Sequence, residues 1–222
     1  TVFIFHQYSR WYNDNMTSYV LPTDRQIEAL HRKYAASEQD FQLIYTHCQI
    51  VEAIAIQLVR NNDLAVDKQL VHVGCLLHDI GVYPLMDDAG RITKGVTHGV
   101  IGEELLKNEG FPEHIWRLAS HHTGVGLTKQ DVIDQGIPIP PADYTAHTDE
   151  ERLIMYADKF HTKNKPPTDP PHFCTFDYYK ASVHQFSKDK VAKFEMLAER
   201  FGKPDLEPLS KQFAHPIVDA DA

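Results

Sequence analysis

The sequence predicts an all-α fold, because helical signals run along most of its 222 residues and no sustained alternation of apolar and polar residues is found. Apolar residues recur at helical spacing in several segments, and residues suited to helix N-caps precede many of these segments. The length is at the upper end of what one hydrophobic core can organise, so we expect a single domain over residues 1–222.

Each predicted helix begins at a capping signal or after a turn. Thr23, Ser37 and Asp67 are predicted to begin the first three helices, of which the second runs to about residue 60 and the third is apolar nearly all round. Gly81 and Pro84 are expected to end the third helix. The remaining expectations are a loop or short hairpin at 87–97 and helices at 98–109, at 112–121, after Thr128, after Thr148 and, as one amphipathic helix, at about 176–201.

Composition and charge exclude several classes of function. The 22 basic and 31 acidic residues give a net charge of −9, which would repel the phosphates of duplex nucleic acid. No apolar run approaches the ~20 residues needed to span a membrane. Three cysteines without Cys-x-x-Cys spacing, and a first segment without a signal-peptide pattern, favour a cytoplasmic protein.

The most unusual feature is the number of histidines, which is fourteen. Several of them, with two carboxylates, fall at predicted helix ends or beside apolar stripes: His47, the pair His78-Asp79, His98, the pair His121-His122, and Asp158, the last expected in mid-helix. A buried, unpaired carboxylate costs several kcal/mol unless a cation or donor meets it. Imidazole and carboxylate ligands suit a divalent ion of iron, manganese, cobalt, nickel or zinc.

This order of residues resembles the HD-domain metal-dependent phosphohydrolases, and His78-Asp-Ile-Gly81 matches a local signature of that superfamily. The resemblance covers about residues 39–165. It implies a bundle of roughly five core helices around buried metals, here with the core at about 38–165, an N-terminal extension at 1–37 and a C-terminal helix at 175–203.

The resemblance also implies roles for individual residues. His47, His78, Asp79 and Asp158 match the ligand set for one metal, and His98 and His121 match the further ligands of two-metal members, with Asp79 bridging. Two ions are therefore expected, iron or manganese first, with zinc, nickel and cobalt as the other candidates.

The role of His122 stays open between two patterns. In some two-metal branches both histidines of a His-His pair bind metal, and in others only the first does. The run His121-His-Thr-Gly124 is closer to the second pattern, which is found in the dinucleoside polyphosphate hydrolase branch. His122 is then a candidate catalytic residue beside Asp79. No Gly-Tyr-Pro element follows His122, which argues against cyclic-dinucleotide hydrolysis of the HD-GYP kind.

The function implied by the resemblance is hydrolysis of a phosphoester or phosphoanhydride of a small molecule, a nucleotide first among the substrates, by a hydroxide activated between two metals. The candidate substrate-binding cations are Lys94, Arg91, Lys129 and Lys159, of which Lys94 is the first choice. Two alternatives remain, namely a mixed-valent di-iron oxygenase that cleaves a C–C or C–P bond with the same ligand set, and a non-catalytic binding module.

Other features are interpreted as structural. His161 lies one helical turn beyond Asp158 and is the remaining histidine closest to the ligand set. The C-terminal helix is expected to support the core, with the interface of a homo-oligomer as the alternative. The aromatic residues near the N-terminus are expected to cover exposed core: Phe3, Phe5, Tyr8, Trp11 and Tyr12.

Overall fold

The computed structural model describes residues 20–87, 90–93, 95–163, 170–184 and 188–220. Within these ranges the chain forms ten α-helices: α1 (Asp24–Tyr34), α2 (Glu38–Asn61), α3 (Lys68–Leu77), α4 (His98–Asn108), α5 (Glu113–Ser120), α6 (Lys129–Asp134), α7 (Asp149–Ala157), α8 (Phe176–His184), α9 (Lys188–Phe201) and α10 (Leu206–Phe213). Three 3-10 helices (Ile80–Leu85, Gly95–Thr97 and Asp158–Phe160) and two short strands, β1 (Phe173–Cys174) and β2 (Ile217–Val218), complete the regular structure of the described ranges.

The predicted all-α fold is confirmed, and side-chain caps explain where several helices begin. The Ser37 hydroxyl accepts the backbone N–H of Asp40 at 3.1 Å at the start of α2. The same kind of cap begins α3, α6 and α7, where the capping side chains are those of Asp67, Thr128 and Thr148. Each cap satisfies a backbone donor that has no partner within its helix.

The hydrophobic core lies between α2, α3 and α7, which pack on one another, while α5 packs on α3. The apolar stripe of α2 is fully buried at Ile44, Cys48, Val51, Ala55 and Leu58. Helix α4 packs on α5 and on the 3-10 helix Ile80–Leu85. The C-terminal ends of α3 and α7 therefore lie inside the molecule, and the residues that follow them are buried.

Two predicted helix ends are wrong, and both concern this buried region. Helix α3 stops at Leu77, and Gly81 and Pro84 lie inside the following 3-10 helix. The backbone leaves α-helical geometry at Asp79, whose φ and ψ are −104° and 12°. Asp158 is not in mid-helix but follows the last residue of α7 and begins a 3-10 turn. In both places the helix ends where a carboxylate enters the interior.

The single C-terminal helix predicted at about 176–201 is also wrong. The structure has two helices there, and the ring of Phe176 in α8 stacks on that of Phe194 in α9 with centroids 4.8 Å apart. In one straight helix these residues would be about 27 Å apart. Helices α8 and α9 therefore pack against each other, and the rings of Phe176 and Tyr179 in α8 lie against Phe194 in α9.

Short β-contacts join distant segments. Strands β1 and β2 pair in parallel, with Phe173 opposite Ile217, and Phe173 also forms an antiparallel bridge with His161. Around 87–97 the predicted short hairpin has an antiparallel bridge between Met86 and Ile92.

The aromatic residues Phe3, Phe5, Tyr8, Trp11 and Tyr12 lie outside the described residues. Across the described ranges, no helix has the length and apolar character required to cross a bilayer.

Candidate metal centre

Histidine and carboxylate side chains from separate helices converge at the buried ends of α3 and α7. One group that could hold a metal consists of His47, His78, Asp79 and Asp158, and a second consists of Asp79, His98 and His122. In each group the candidate ligand atoms lie within 4.8 Å of one another. The two groups share Asp79, whose side chain is completely buried.

The two carboxylate oxygens of Asp79 face different groups. Its Oδ2 lies 3.2 Å from His47 Nε2 and 3.5 Å from His78 Nε2. Its Oδ1 lies 3.2 Å from His98 Nε2 and 3.5 Å from His122 Nε2. Within the first group, Asp158 Oδ1 also lies close to His47, at 3.0 Å from its Nε2 atom. Asp79 is thus placed to bridge two cations.

The tautomers of three rings are fixed by backbone carbonyl groups. The Nδ1–H groups of His78 and His122 donate to the carbonyl oxygens of Cys75 and Ala119 at 2.7 and 2.6 Å, and that of His98 donates to Gly95. A carbonyl oxygen can only accept, so in the neutral ring the Nε2 atom carries a lone pair. All three lone pairs face Asp79, as metal ligation requires.

The buried polar atoms of this centre fit a divalent cation. Among the described residues, His78 Nε2 and both oxygens of Asp79 are buried without a partner in hydrogen-bond geometry. The Nε2 atoms of His98 and His122 are 2.8 Å apart, although the Nδ1–H donations leave both with lone pairs in the neutral rings. Facing lone pairs, and buried carboxylate oxygens that meet them, are costly without a positive charge between them, and the ammonium of Lys163 lies on the Oδ2 side of Asp79.

The pKa shifts agree with a centre that attracts positive charge. Burial lowers the pKa of His98 to about 4 and that of His122 to about 3, so both rings are neutral near pH 7. Burial alone would raise the pKa of Asp79, but Lys163 and His78 outweigh it and hold that pKa well below its usual range. Burial opposes protonation of His78, yet the field of Asp79 raises its pKa. A metal cation would compete for that same negative field.

Two lysine side chains contact the aspartates of the candidate metal centre. Lys159 is buried, and its Nζ lies 2.5 Å from Asp158 Oδ2 and donates to the carbonyl oxygen of His122 at 3.1 Å. Lys163 Nζ lies 2.6 Å from Asp79 Oδ2, and its side chain is 18% exposed. Both lysines line a cavity of about 530 Å³ that also reaches His98, Asp158, Tyr178 and Tyr179. Of the two, Lys163 has the more exposed side chain on the cavity side of the candidate ligands.

The structure separates the two histidines of the His121-His122 pair. His122 enters the second group, whereas His121, predicted as a ligand, lies outside both groups. The Nδ1 atom of His121 is 2.6 Å from Ser120 Oγ, and its ring faces Tyr144 and His147. The structure thus places His122, and not His121, among the second group of candidate ligands, beyond the end of helix α5 at Ser120.

The predicted substrate-binding cations are dispersed. Arg91 is 77% exposed and pairs with Asp87, and Lys129 lies exposed in the first turn of α6, so neither belongs to the cavity at the centre. Lys94 lies outside the described residues. Lys159 lines the cavity, and so does Lys163, which was not among the candidates although it is also close in sequence to Asp158.

With this fold and a buried centre of histidines and aspartates in view, the sequence comparison identifies the family. The chain matches the HD domain over residues 44–163, which is more than half of its length, and it belongs to the HD-domain family. The match includes every residue of the two candidate ligand groups.

The similar proteins carry several names. An uncharacterized protein of Methanocaldococcus jannaschii is 38% identical over 118 residues, covering 52% of this chain and 64% of the relative. Two relatives are named tRNA (cytidine(56)-2'-O)-methyltransferase. That of Thermoplasma volcanium is 24% identical over 195 residues (88% of this chain, 46% of the relative), and that of Picrophilus torridus is 32% identical over 122 residues (55% and 32%). The chain thus spans 64% or less of the length of these curated relatives.

Two solved structures of the L. monocytogenes phosphodiesterase PgpH HD domain are also similar, each with a TM-score of 0.46. One is 16% identical and is matched over 78% of this chain and 95% of that chain. The other, a complex with cyclic-di-AMP, is 20% identical and is matched over 84% and 90%.

Proposed function

We propose that the chain is a metal-dependent phosphohydrolase that cleaves a phosphoester or phosphoanhydride of a small molecule, with nucleotides first among the substrates. The observation that carries this proposal is the placement of Asp79, which presents one carboxylate oxygen to each of two ligand groups. Membership of the HD-domain family supports it.

In this proposal one divalent ion is held by His47, His78, Asp79 and Asp158, and a second by Asp79, His98 and His122. Iron and manganese are the first candidates, as the family resemblance implies, and the imidazole and carboxylate ligands also suit zinc, nickel and cobalt. When bound, two divalent ions supply Lewis acidity for an in-line displacement at phosphorus by water.

The residues around the centre have separate tasks. Lys159 holds Asp158 and the backbone of His122 in place through its two contacts. Lys163 reaches the centre from the cavity, so its ammonium can neutralise a phosphate oxygen of the substrate. Burial of Asp79 keeps bulk water away from the bridging carboxylate, which strengthens its electrostatic interactions.

The proposal is tested with metal analysis and a substrate screen. Protein produced with iron and manganese is expected to contain about two equivalents of metal and, with Mn²⁺ and without dioxygen, to release phosphate from members of a nucleotide and sugar-phosphate panel. Asp79→Asn, which removes the charge at nearly constant shape, is expected to lose the metal and the activity. Asp87→Asn, which changes a carboxylate paired with the exposed Arg91, is the matched control.

Two results would contradict the proposal. One is a metal-loaded protein that hydrolyses no phosphoester or phosphoanhydride bond in any member of the panel. The other is turnover that requires both iron and dioxygen, which would favour oxygenase chemistry on the same ligand set.

A further inference from the structure

Backbone carbonyl groups three residues earlier in the chain hold three of the candidate ligand rings. Cys75 and Ala119 lie in the last turns of α3 and α5, where carbonyl oxygens have no partner within the helix. Each accepts the Nδ1–H of the histidine three residues later, His78 or His122. Gly95, three residues before His98, serves that ring in the same way.

His47 cannot be held in this manner, because it lies in the middle of α2. The carbonyl oxygen three residues before it already accepts an N–H of the helix backbone. Its Nε2 faces Asp158 and Asp79, so its Nδ1 needs an acceptor from another segment. That partner is His161, whose Nδ1 lies 2.9 Å from His47 Nδ1 in a buried contact.

The contact continues to a third ring. The Nε2 atom of His161 lies 2.8 Å from Nδ1 of His215. Successive ring centroids are 5.2 and 5.1 Å apart, and the planes are inclined by only 28° and 11°. With such short N···N distances, these values describe rings joined nearly end to end, where each N–H points at the in-plane lone pair of the next ring.

One set of tautomers satisfies both hydrogen bonds that join the rings of His47, His161 and His215. When His47 gives its Nε2 lone pair to a metal, the proton of the neutral ring is on Nδ1 and is donated to His161. His161 then carries its own proton on Nε2 and donates it to His215. The orientation of the first ring is thus coupled to two residues outside the ligand groups.

The segments that carry His161 and His215 are held together by the short β-contacts. His161 forms a bridge with Phe173, and the backbone N–H of Phe173 donates to the carbonyl oxygen of Pro216 at 2.8 Å. The Ser210 hydroxyl donates to the carbonyl oxygen of His215 at 2.6 Å. Strands β1 and β2 lie beyond the residues that match the HD domain.

We propose that His161, supported by His215, is a positioning residue that fixes the tautomer and orientation of His47, and that the β1–β2 contact holds this support in place. The inference rests on the proposed function in one respect, which is that His47 ligates a metal. It gives the C-terminal segment a defined task at the metal centre.

The test measures the dissociation constant of Mn²⁺ from chelator-stripped protein by calorimetry. Partners that orient a ligating histidine typically contribute about 10–100-fold to metal affinity. His161→Phe removes the acceptor and is expected to weaken Mn²⁺ binding by about that factor. His161→Asn places an amide oxygen near the position of Nδ1 and is expected to recover most of the affinity, whereas His215→Phe is expected to cause a smaller loss than His161→Phe.

The controls separate positioning from general damage. His184→Phe replaces an exposed histidine of α8 and is expected to bind Mn²⁺ as the unchanged protein does. Thermal unfolding of the metal-free variants shows whether each is folded. Unchanged affinity in His161→Phe, or equal losses in His161→Asn and His161→Phe, would overturn the inference and leave the proposed hydrolase intact. If the Mn²⁺ affinities of the variants fall in the expected order but no member of the substrate panel is hydrolysed, the hydrolase proposal is overturned and the positioning role of His161 is supported.

Discussion

The backbone of Gly81 lies directly against that of Gly102. A Cβ atom on Gly81 would be 2.3 Å from the Gly102 nitrogen and 2.1 Å from the carbonyl oxygen of His98. Both contacts are with backbone atoms of α4, which cannot move aside as a flexible side chain can. This close approach brings the N-terminal end of α4, and with it His98, to within 3.2 Å of Asp79.

Replacing Gly81 by alanine is therefore expected to push α4 away from the 3-10 helix. Overpacking of this kind costs about 1–3 kcal/mol, and we expect the upper end of that range because the neighbours are backbone. Denaturant unfolding should show the loss of stability, and metal analysis should show loss of the ion assigned to Asp79, His98 and His122. Gly95→Ala is the control, since its Cβ would come no closer than 3.8 Å to Ile92. Equal stability of the two variants would contradict this interpretation.

The two adjacent histidines at the end of α5 give a second prediction. His122→Ala removes a member of the second ligand group and is expected to lower the bound metal by about one equivalent per chain. His121→Ala changes the same residue type one position earlier, outside both groups, and is expected to keep the metal content of the unchanged protein. Elemental analysis of the two variants measures the number of metal ions that each one binds. Loss of metal in His121→Ala with retention in His122→Ala would restore the ligand pattern predicted from the sequence.

The sequence is informative where a local signal fixes the structure. Capping side chains predict the beginnings of α2, α3, α6 and α7, because each cap acts within a few residues of itself. The resemblance to the HD-domain family likewise implies that His47, His78, Asp79 and Asp158 belong together, and these four residues form the first candidate ligand group.

Features that depend on tertiary contacts could not be read in the same way. The choice between His121 and His122 depends on how the chain leaves α5. The presence of two helices, α8 and α9, in place of one depends on the packing of Phe176 against Phe194. The contact of His161 with His215 requires a two-residue strand pairing, which is too short to leave a periodic pattern.

A buried histidine outside the metal centre predicts how stability depends on pH. His31 Nε2–H donates to the carbonyl oxygen of Leu76 at 2.7 Å, and its Nδ1 accepts from the Tyr83 hydroxyl at 2.8 Å. Burial lowers the pKa of His31 to about 4. The unfolded chain binds this proton near pH 6.5, so folding is penalised as pH falls from 6.5 towards 4.

The variant His31→Gln lacks this pH-dependent contribution to stability, because glutamine does not titrate. Its side-chain amide can still donate a hydrogen bond to the carbonyl oxygen of Leu76. The free energy of unfolding of the unchanged protein is therefore expected to fall by about 2 kcal/mol more than that of the variant between pH 7 and pH 5. Denaturant unfolding of metal-free protein at the two pH values measures the difference. His184→Gln, at an exposed site, should follow the unchanged protein. Parallel curves for His31→Gln and the unchanged protein would show that His31 does not titrate as its burial requires.

Substitutions of Lys163 and Lys159, the two lysines at the metal centre, are expected to have different effects on substrate and metal binding. Lys163→Met removes an ammonium that reaches Asp79 from the cavity, and a charged hydrogen bond to a phosphate oxygen is worth about 1.5–3 kcal/mol. On a substrate found in the phosphate-release screen, KM should rise about 10–100-fold while the metal content is retained. Lys159→Met instead leaves Asp158 and the carbonyl oxygen of His122 without a buried donor, so metal content and kcat should fall together. Steady-state kinetics with metal analysis of both variants separates these outcomes. The same pattern of losses in the two variants would mean that Lys163 supports the ligands rather than the substrate.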